Sequence, residues 1–239
     1  MRLQQTLAYE YEKENIAYWT NRAPGYSEVN RQELRSGQRG VWGRTLAEAI
    51  ADHYPGRKRQ DIAVLDIGTG PGFFAIILAE MGFAVTAVDY TDSMLDKARA
   101  NAGKWRDQIC FRKMNAEELT FAPESFDVIV SRNLTWNLHD PKKAYQSWER
   151  VLKSGGLLLN FDANWYRYLY DEKAMEGYCR DRENIKAAGV ANETDGTDIP
   201  AMEAIAGKAP LSAVCRPGWD IDVLEGLGMS VKADPAIWK

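Results

Sequence analysis

The sequence is poor in the residue types that build disulfide scaffolds and metal sites. It has 3 cysteines and 2 histidines among 239 residues. Cys110, Cys179 and Cys215 have neither the even number typical of disulfide pairs nor the spacing of metal ligands. We therefore expect reduced thiols, a cytoplasmic location and no metal site.

Clustered positive charge and long apolar runs are also scarce. The net charge is −4 and the isoelectric point is about 5.4, whereas a nucleic-acid-binding surface carries a basic patch. Arg57–Arg59 is a short basic run that reads as a solvated loop. No apolar stretch reaches membrane-spanning length, and the charged N-terminal segment lacks a signal-peptide core. Neither nucleic acid nor a membrane is an expected partner.

What the sequence does contain is a glycine-rich turn between an apolar strand and an apolar helix. Residues 64–81 read VLDIGTGPGFFAIILAEM. The three glycines allow a sharp turn and close approach of a ligand, and the N-terminus of the helix is expected to face that ligand. A second predicted strand ends at Asp89, whose carboxylate can accept hydrogen bonds from both hydroxyls of a ribose. The pattern predicts a nucleoside-cofactor site.

The spacing of the glycines separates two kinds of cofactor. The nicotinamide-dinucleotide fingerprint is G-x-G-x-x-G, whereas this turn is G-x-G-x-G with Pro71 inside it. Asp66 precedes the turn, either as a loop-capping acid or as a partner for the cationic end of a ligand. A sulfonium nucleoside needs carboxylates and backbone groups rather than a diphosphate cradle. The pattern therefore favours a sulfonium nucleoside as the cofactor. The alternative is a nicotinamide-dependent oxidoreductase.

Four motifs in order resemble class I S-adenosylmethionine-dependent methyltransferases. The first is DIGTGPG at residues 66–72, and the others lie at 88–99, 115–133 and 148–159. Together they cover about half the chain. The chain resembles in particular the small-molecule methyltransferases of ubiquinone and menaquinone biosynthesis.

The resemblance implies S-adenosylmethionine as methyl donor and S-adenosylhomocysteine as product. Gly68 and Gly70 would hold the methionine and ribose portions, Asp89 the ribose, and Tyr90 the adenine face. Asn115 stands where relatives often have an aspartate, and its side-chain oxygen can still accept from the adenine amino group. The expected cofactor residues are Asp66, Gly68, Thr69, Gly70, Gly72, Asp89, Tyr90, Met94, Asn115, Ala116, Glu117, Arg132 and Asn133.

Arg132 and Asn133, at the tip of the fourth predicted strand, are expected beside the sulfonium and the amino-acid end of the cofactor. Asn133 as a loop cap is the alternative. His139 is the candidate general base, because neutral imidazole takes up protons near neutral pH. Its alternative roles are to cap the helix that begins near Pro141 or to orient the loop.

The methyl acceptor is expected to be a small molecule that contacts aromatic side chains. Such side chains suit a flat or cationic acceptor, although they could equally pack a cap onto the core. The accepting atom, O, N, S or C, is not specified by the sequence. The expected acceptor residues are Tyr18, Trp19, Tyr26, Trp136, Trp165 and Tyr166.

The predicted fold is α/β, a Rossmann-like doubly wound and mostly parallel sheet in a single domain over residues 1–239. Strands are expected at 63–67, 84–88, 109–112, 127–131 and 157–161. A helical cap at 1–55, interrupted by a polar break at 21–26, precedes a cofactor-binding core at 60–162. A helical substrate cap with a mobile loop is expected at 163–217, and a helix and a sixth strand, at 229–233, within 218–239.

The final β-hairpin of the family's sheet is expected to be incomplete, because the sequence has room for one of its two strands at most. An unfilled place in the sheet would leave backbone groups unpaired. The two interpretations are a shortened chain, or a strand supplied by another segment or by a second subunit in a homodimer. The incomplete hairpin also leaves a third functional hypothesis, a non-catalytic nucleoside-binding protein.

Overall fold

Five apolar segments form one parallel sheet. The computed structural model describes residues 2–188 and 197–235. The strands are β1 (Ala63–Ile67), β2 (Ala84–Asp89), β3 (Ile109–Lys113), β4 (Phe126–Arg132) and β5 (Leu152–Phe161). They have the order β3-β2-β1-β4-β5, and all four strand pairings are parallel, which confirms the predicted Rossmann-like sheet.

Helices cover both faces of this sheet, as a doubly wound fold requires. The helices are α1 (Arg2–Arg35), α2 (Gly37–His53), α3 (Phe73–Glu80), α4 (Asp92–Ala102), α5 (Pro141–Val151), α6 (Glu172–Ala188), α7 (Ile199–Ala206) and α8 (Gly218–Gly226). Val64 on β1 belongs to an apolar cluster with α2 and α3, whereas its neighbour Leu65 belongs to a second cluster with α5 and α8. None of the helices described has both the length and the apolarity to cross a membrane.

The expected break at residues 21–26 is wrong, because α1 continues through Pro24. Proline removes one backbone hydrogen bond of a helix, so tertiary contacts must hold α1 together on both sides. Ala23 is fully buried, and Ser27 is hydrogen-bonded to Asn101 of α4. Further along, Glu33 forms an ion pair with Arg132. Packing of α1 against the core overrides the local signal for a break.

The expected strand at residues 229–233 is also wrong. The described residues that follow α8, up to residue 235, contain no strand, and within the described chain the sheet ends at β5. Met229 and Val231 instead pack against the apolar cluster of α5 and α8. The alternating apolar pattern that predicted a strand is therefore explained by packing against this cluster rather than by pairing with the sheet. The polar segment at residues 192–198, where the mobile loop is expected, lies largely outside the described residues.

The parallel arrangement brings the motifs to one edge. β1, β2 and β4 are neighbours, so the glycine turn after β1, Asp89 at the end of β2 and Asn133 after β4 meet at the carboxyl edge of the sheet. Ligands of open α/β sheets bind at this edge. The long helix α1 lies across the same edge and supplies the opposite wall of the site.

Candidate active site

A cavity of about 440 Å³ lies between the carboxyl edge of the sheet and α1. The sheet side is formed by the glycine turn and by the segments that follow β2, β3 and β4. The α1 side is formed by Tyr11, Glu12, Asn15, Ile16, Trp19 and Tyr26. The expected residues that line this cavity are Trp19, Tyr26, Gly68, Gly70, Asp89, Tyr90, Met94, Asn115, Ala116, Glu117, Arg132, Asn133 and His139.

The glycine turn requires a backbone that other residues adopt only under strain. Gly68, Gly70 and Gly72 all have positive φ, at 68°, 52° and 95°. A Cβ on Gly68 would also lie 2.7 Å from a methyl group of Leu134. Gly68 and Gly70 line the cavity, whereas Gly72 packs against α4 and does not. The glycines therefore shape the turn and bring its backbone to the ligand.

Asp66 stabilises the glycine turn by hydrogen bonds and does not line the cavity. Its Oδ2 accepts hydrogen bonds from Thr69 Oγ1 at 2.6 Å and from the backbone N of Ala75 at 3.0 Å. Burial raises the pKa of Asp66 to about 7, against these two hydrogen bonds, which lower it. Ala75 is in the first turn of α3, so this carboxylate occupies a helix N-terminus that was expected to face the ligand. Neither Asp66 nor Thr69 is among the cavity residues.

Asp89 lines the cavity at the end of β2, and three donors fix its carboxylate. Oδ2 accepts from the backbone N of Gly70 at 2.9 Å, and Oδ1 accepts from Thr91 N and Thr91 Oγ1 at 2.9 and 3.0 Å. Burial raises the pKa of Asp89, against these hydrogen bonds. The Gly70 contact joins the two halves of the predicted nucleoside motif directly.

Tyr90 and Asn115, the residues expected to contact the adenine, line the same cavity as Asp89. The Tyr90 hydroxyl donates to Glu12 of α1 at 2.5 Å, and this hydrogen bond raises the pKa of Tyr90 to about 12. Asn115 Oδ1 accepts from the backbone N of Glu117 at 2.9 Å, which fixes the side-chain oxygen that was expected to meet adenine. Glu12 has no motif around it, and the sequence did not identify it.

At the tip of β4, the Arg132 guanidinium is paired with a glutamate, whereas the side-chain oxygen of Asn133 has no hydrogen-bond partner. Both Arg132 Nη atoms donate to Glu33, at 2.6 and 3.2 Å, and the guanidinium lies 4.6 Å from the centre of the Phe73 ring. Asn133 has a φ of 57°, a conformation that asparagine tolerates. Its Oδ1 is buried and has no hydrogen-bond partner, while its backbone N donates to Phe161 O at 2.8 Å.

The expected aromatic residues separate into two groups. Trp19 and Tyr26 line the cavity with ring centres 5.7 Å apart. Tyr18, Trp136 and Tyr166 do not line the cavity, and together with Trp19 they belong to a third apolar cluster, which packs α1 against α7. Trp165 is 44% exposed and donates to Asp162. The packing alternative therefore describes Tyr18, Trp136 and Tyr166 better than direct contact with an acceptor.

His139 lies at the rim of the cavity, with its ring centre 5.6 Å from that of Tyr11. Its alternative role as a helix cap is wrong, because Asp140 caps α5 by accepting from Lys143 N at 2.9 Å. The roles as a base and as a residue that orients the loop both stay predictions.

The cavity has more negative than positive groups. Glu12, Asp89, Glu117, Glu118 and Asp140 line it, together with two cations. Both cations are already paired: Arg132 with Glu33 at 2.6 Å, and Lys143 with Glu118 at 3.1 Å. The electrostatic field at the site therefore favours a ligand with positive charge over one with phosphate groups.

A buried ionic network that the sequence did not reveal holds the loop beside the cavity. Arg216 Nη1 lies 2.8 Å from Asp162 Oδ2, and Arg216 Nη2 lies 2.6 Å from Asp220 Oδ1. Asp162 Oδ2 also accepts from Thr135 Oγ1 and from the backbone N of Trp136, at 2.5 and 2.9 Å. The network joins β5, the segment before α8 and the loop after β4, which are far apart in sequence.

Comparison with known proteins agrees with this geometry. Residues 65–160 match the model of the family described as "Methyltransferase domain". A ubiquinone biosynthesis O-methyltransferase of Coxiella burnetii is 32% identical over 109 residues, which are 45% of this chain and 47% of that protein. A demethylmenaquinone methyltransferase of Renibacterium salmoninarum is 32% identical over 146 residues, 61% of this chain and 57% of that protein.

One solved structure shows the same fold over most of the chain. It is a candidate S-adenosyl-L-methionine-dependent methyltransferase of Methanococcus maripaludis, 22% identical, with a TM-score of 0.50 over 75% of this chain and 82% of that one. The chain spans about half the length of the curated relatives it matches. The part of the chain that matches the methyltransferase-domain family, residues 65–160, carries the glycine turn, Asp89 and the tip of β4.

Proposed function

We propose that the chain uses S-adenosylmethionine to methylate a small molecule. The observation that carries this proposal is the cavity itself, in which Asp89 is fixed by Gly70 N–H beside Tyr90 and Asn115. A fixed carboxylate at the end of the second strand suits the two hydroxyls of a ribose. The excess of carboxylates over free cations suits a sulfonium, which is positively charged.

The same groups oppose the nicotinamide alternative. A dinucleotide places its diphosphate at a helix N-terminus, where backbone N–H groups receive it. Here Asp66 already accepts from Ala75 N of α3, and a diphosphate would approach that carboxylate. Arg132 and Lys143 are the cations of the described cavity wall, and each is paired with a glutamate. The site thus fits a cationic nucleoside better than an anionic dinucleotide.

When bound, the cofactor supplies a methyl group on a sulfonium that is already electrophilic. The chain then needs to orient the nucleophile and exclude water, and orientation alone supplies about 7–11 kcal/mol in favourable model reactions. Asp89 would hold the ribose, and Tyr90 and the backbone around Asn115 and Ala116 the adenine. The helix α1 would cover the site, held by Glu12 on Tyr90.

His139 would act as general base for an acceptor that must lose a proton. Its place at the rim of the cavity gives it access both to the acceptor and to solvent, to which the proton can pass. An acceptor that reacts without losing a proton would not need His139. The domain organisation predicted above, with caps at 1–55 and 163–217 around a core at 60–162, is proposed to serve this single site.

A different class of function, nucleoside binding without turnover, shares the same cofactor contacts. The two are separated by chemistry: the enzyme converts S-adenosylmethionine to S-adenosylhomocysteine when an acceptor is present, whereas a binding protein returns it unchanged.

The proposal is tested by calorimetric titration of S-adenosylmethionine, S-adenosylhomocysteine and NADH into the wild type and Asp89→Ala. Micromolar binding of both sulfur nucleosides, lost in the variant and absent for NADH, is expected. Thr86→Ala, on the same strand but outside the cavity, is the matched control and is expected to bind as the wild type does. Binding of NADH alone by folded protein would overturn the proposal.

A further inference from the structure

The loop after β4, residues 133–139, forms part of the cavity wall but is held from the side that faces away from the cavity. The residues of this loop that line the cavity are Asn133, Leu134, Asn137, Leu138 and His139. Thr135 lies between them in sequence, is fully buried and does not line the cavity. Contacts that fix Thr135 therefore also fix the cavity-lining residues on both sides of it.

The Thr135 hydroxyl uses its whole hydrogen-bonding capacity inside the buried ionic network. It donates to Asp162 Oδ2 at 2.5 Å and accepts from Arg216 Nη2 at 2.6 Å and from Asn160 Nδ2 at 3.3 Å. A hydroxyl has one donor and two acceptor positions, so all three are occupied. The same Asp162 oxygen also accepts from the backbone N of Trp136 at 2.9 Å. Asp162 and Arg216 thus both hold the loop through this one hydroxyl group.

The two residues that hold Thr135 stand at opposite ends of residues 163–217, the expected substrate cap. Asp162 directly precedes this segment, and Arg216 is near its end. Asn164 joins the two ends, because its Oδ1 accepts from Arg216 N at 3.0 Å and its Nδ2 donates to Arg216 O at 3.1 Å. The side chains of Asp162 and Arg216 are only 1% and 6% exposed, so water does not compete for these bonds. The position of the loop therefore depends on how the ends of the segment close on each other.

The helix α1 holds the same loop from the cavity side. The Tyr11 hydroxyl and Asn15 Nδ2 both donate to the backbone carbonyl of Asn137, at 3.1 and 3.0 Å. The ring centre of His139 lies 5.6 Å from that of Tyr11. A loop released from Thr135 would therefore change both the cavity wall and the position of His139 relative to Tyr11.

We propose that Thr135 is a positioning residue of the site: through Asp162 and Arg216 it fixes the loop after β4, and with it His139, to the two ends of residues 163–217. The inference rests on the proposed function, because the cavity that this loop completes is the proposed nucleoside site. The loop then has an anchored conformation that binds the nucleoside and a released one that does not. Anchoring and nucleoside binding consequently stabilise each other.

Calorimetric titration of S-adenosylhomocysteine into three variants tests this. Thr135→Val keeps the shape of the side chain without its hydroxyl, and it is expected to weaken binding about 5- to 10-fold, which corresponds to an anchored population of about 10–20%. Thr135→Ser keeps the hydroxyl and is expected to bind as the wild type does. Tyr145→Phe is the matched control, since its buried hydroxyl donates to Asp220 Oδ1 at 2.6 Å and accepts from Asn160 but has no bond to the loop. It should lower stability and leave binding unchanged.

Proton NMR of the imidazole rings supplies a readout that lost stability alone does not move. The chain has 2 histidines, so the C2 protons give one resonance each. The His139 resonance, measured at constant pH, depends on the position of the ring relative to Tyr11. His53, which is bonded to Gly155 O at 2.8 Å, is the internal reference. The His139 resonance is expected to shift in Thr135→Val and to stay in place in Thr135→Ser and Tyr145→Phe.

A measurement on the wild type needs no variant. The backbone N–H of Trp136 donates to Asp162 and does not line the cavity. If the nucleoside binds only the anchored loop, S-adenosylhomocysteine at ten times its Kd should slow hydrogen exchange of this amide about 10-fold. The test therefore remains even where a variant does not fold.

The possible failures are distinguishable. Wild-type protein that does not bind S-adenosylhomocysteine contradicts the proposed function, and this inference with it. If the nucleoside binds, the inference alone is overturned by any of three results. These are wild-type affinity or an unmoved His139 resonance in Thr135→Val, an equal loss of affinity in Tyr145→Phe, and a Trp136 amide whose exchange the nucleoside does not slow.

Discussion

The two walls of the cavity are built in different ways. On the sheet side, the geometry comes from the backbone: parallel strands end together, and three glycines with positive φ turn the chain there. On the α1 side, it comes from side chains, because Glu12, Asn15 and Glu33 bond to residues more than 70 positions away. Backbone geometry leaves local sequence signals, whereas distant side-chain contacts do not.

The largest expected effect concerns the ionic network behind the loop after β4. Arg216→Met would leave Asp162 and Asp220 as buried carboxylates without a cation. Removal of one partner of a buried pair costs about 3–5 kcal/mol, and we expect this loss in the free energy of unfolding, measured by urea denaturation. Arg167→Met, which breaks a partly exposed pair with Asp171, should cost at most about 1 kcal/mol. Equal losses in the two variants would contradict the account.

Next in size is the effect of a side chain in the glycine turn. Gly68→Ala places a Cβ at 2.7 Å from Leu134 in a left-handed backbone, and a loss of about 2–3 kcal/mol in stability is expected, with weaker nucleoside binding. Gly82→Ala has the same backbone cost but no neighbour within 4 Å. Its expected loss is about 1 kcal/mol. Denaturation of both variants separates steric contact from backbone strain.

A smaller effect is expected where the two walls meet, at the hydrogen bond from Tyr90 to Glu12. If α1 covers the nucleoside, then Tyr90→Phe and Glu12→Leu should each weaken S-adenosylhomocysteine binding by about 5-fold, roughly the value of one hydrogen bond. The double variant should be no weaker than either single one, since both remove the same bond. Additive losses in calorimetry would show that the two residues act separately.

A further expected effect is a change in pH dependence at Asp66. Burial raises its pKa to about 7, so the folded state binds this proton more tightly than the unfolded state. This contribution is complete below the unfolded pKa near 4 and is lost as the pH rises through 7. Asp66→Asn removes it, so the stability of the variant relative to wild type should rise between pH 4 and pH 7. A constant difference across that range would contradict the raised pKa.

Much of the sheet side could be predicted from the sequence. Five strands, the glycine turn and Asp89 as a cavity residue follow from apolar runs, glycine spacing and the parallel order of the strands. The role of Asp66 could not be predicted uniquely, because capping of α3 and contact with a ligand require the same residue at the same place.

The α1 side was predicted less well, for physical reasons. Pro24 signals a break, but burial of Ala23 and the bonds of Ser27 keep the helix continuous. Trp136 and Tyr166 are aromatic residues of the kind that line binding sites, but they pack in an apolar cluster instead. Asn15 and Asn137 are 122 positions apart, and no local sequence pattern predicts the hydrogen bond between them.

The most direct test of the central claim is amide hydrogen exchange with and without S-adenosylhomocysteine. If the nucleoside lies between the two walls, protection should increase both at residues 68–72 and 89–91 on the sheet side and at residues 11–26 of α1. The far ends of the strands, such as Ala63 and Ala84, serve as internal controls and should not change. Protection confined to another surface, or an α1 that exchanges faster when the nucleoside is bound, would contradict the claim that these two walls form one cofactor site.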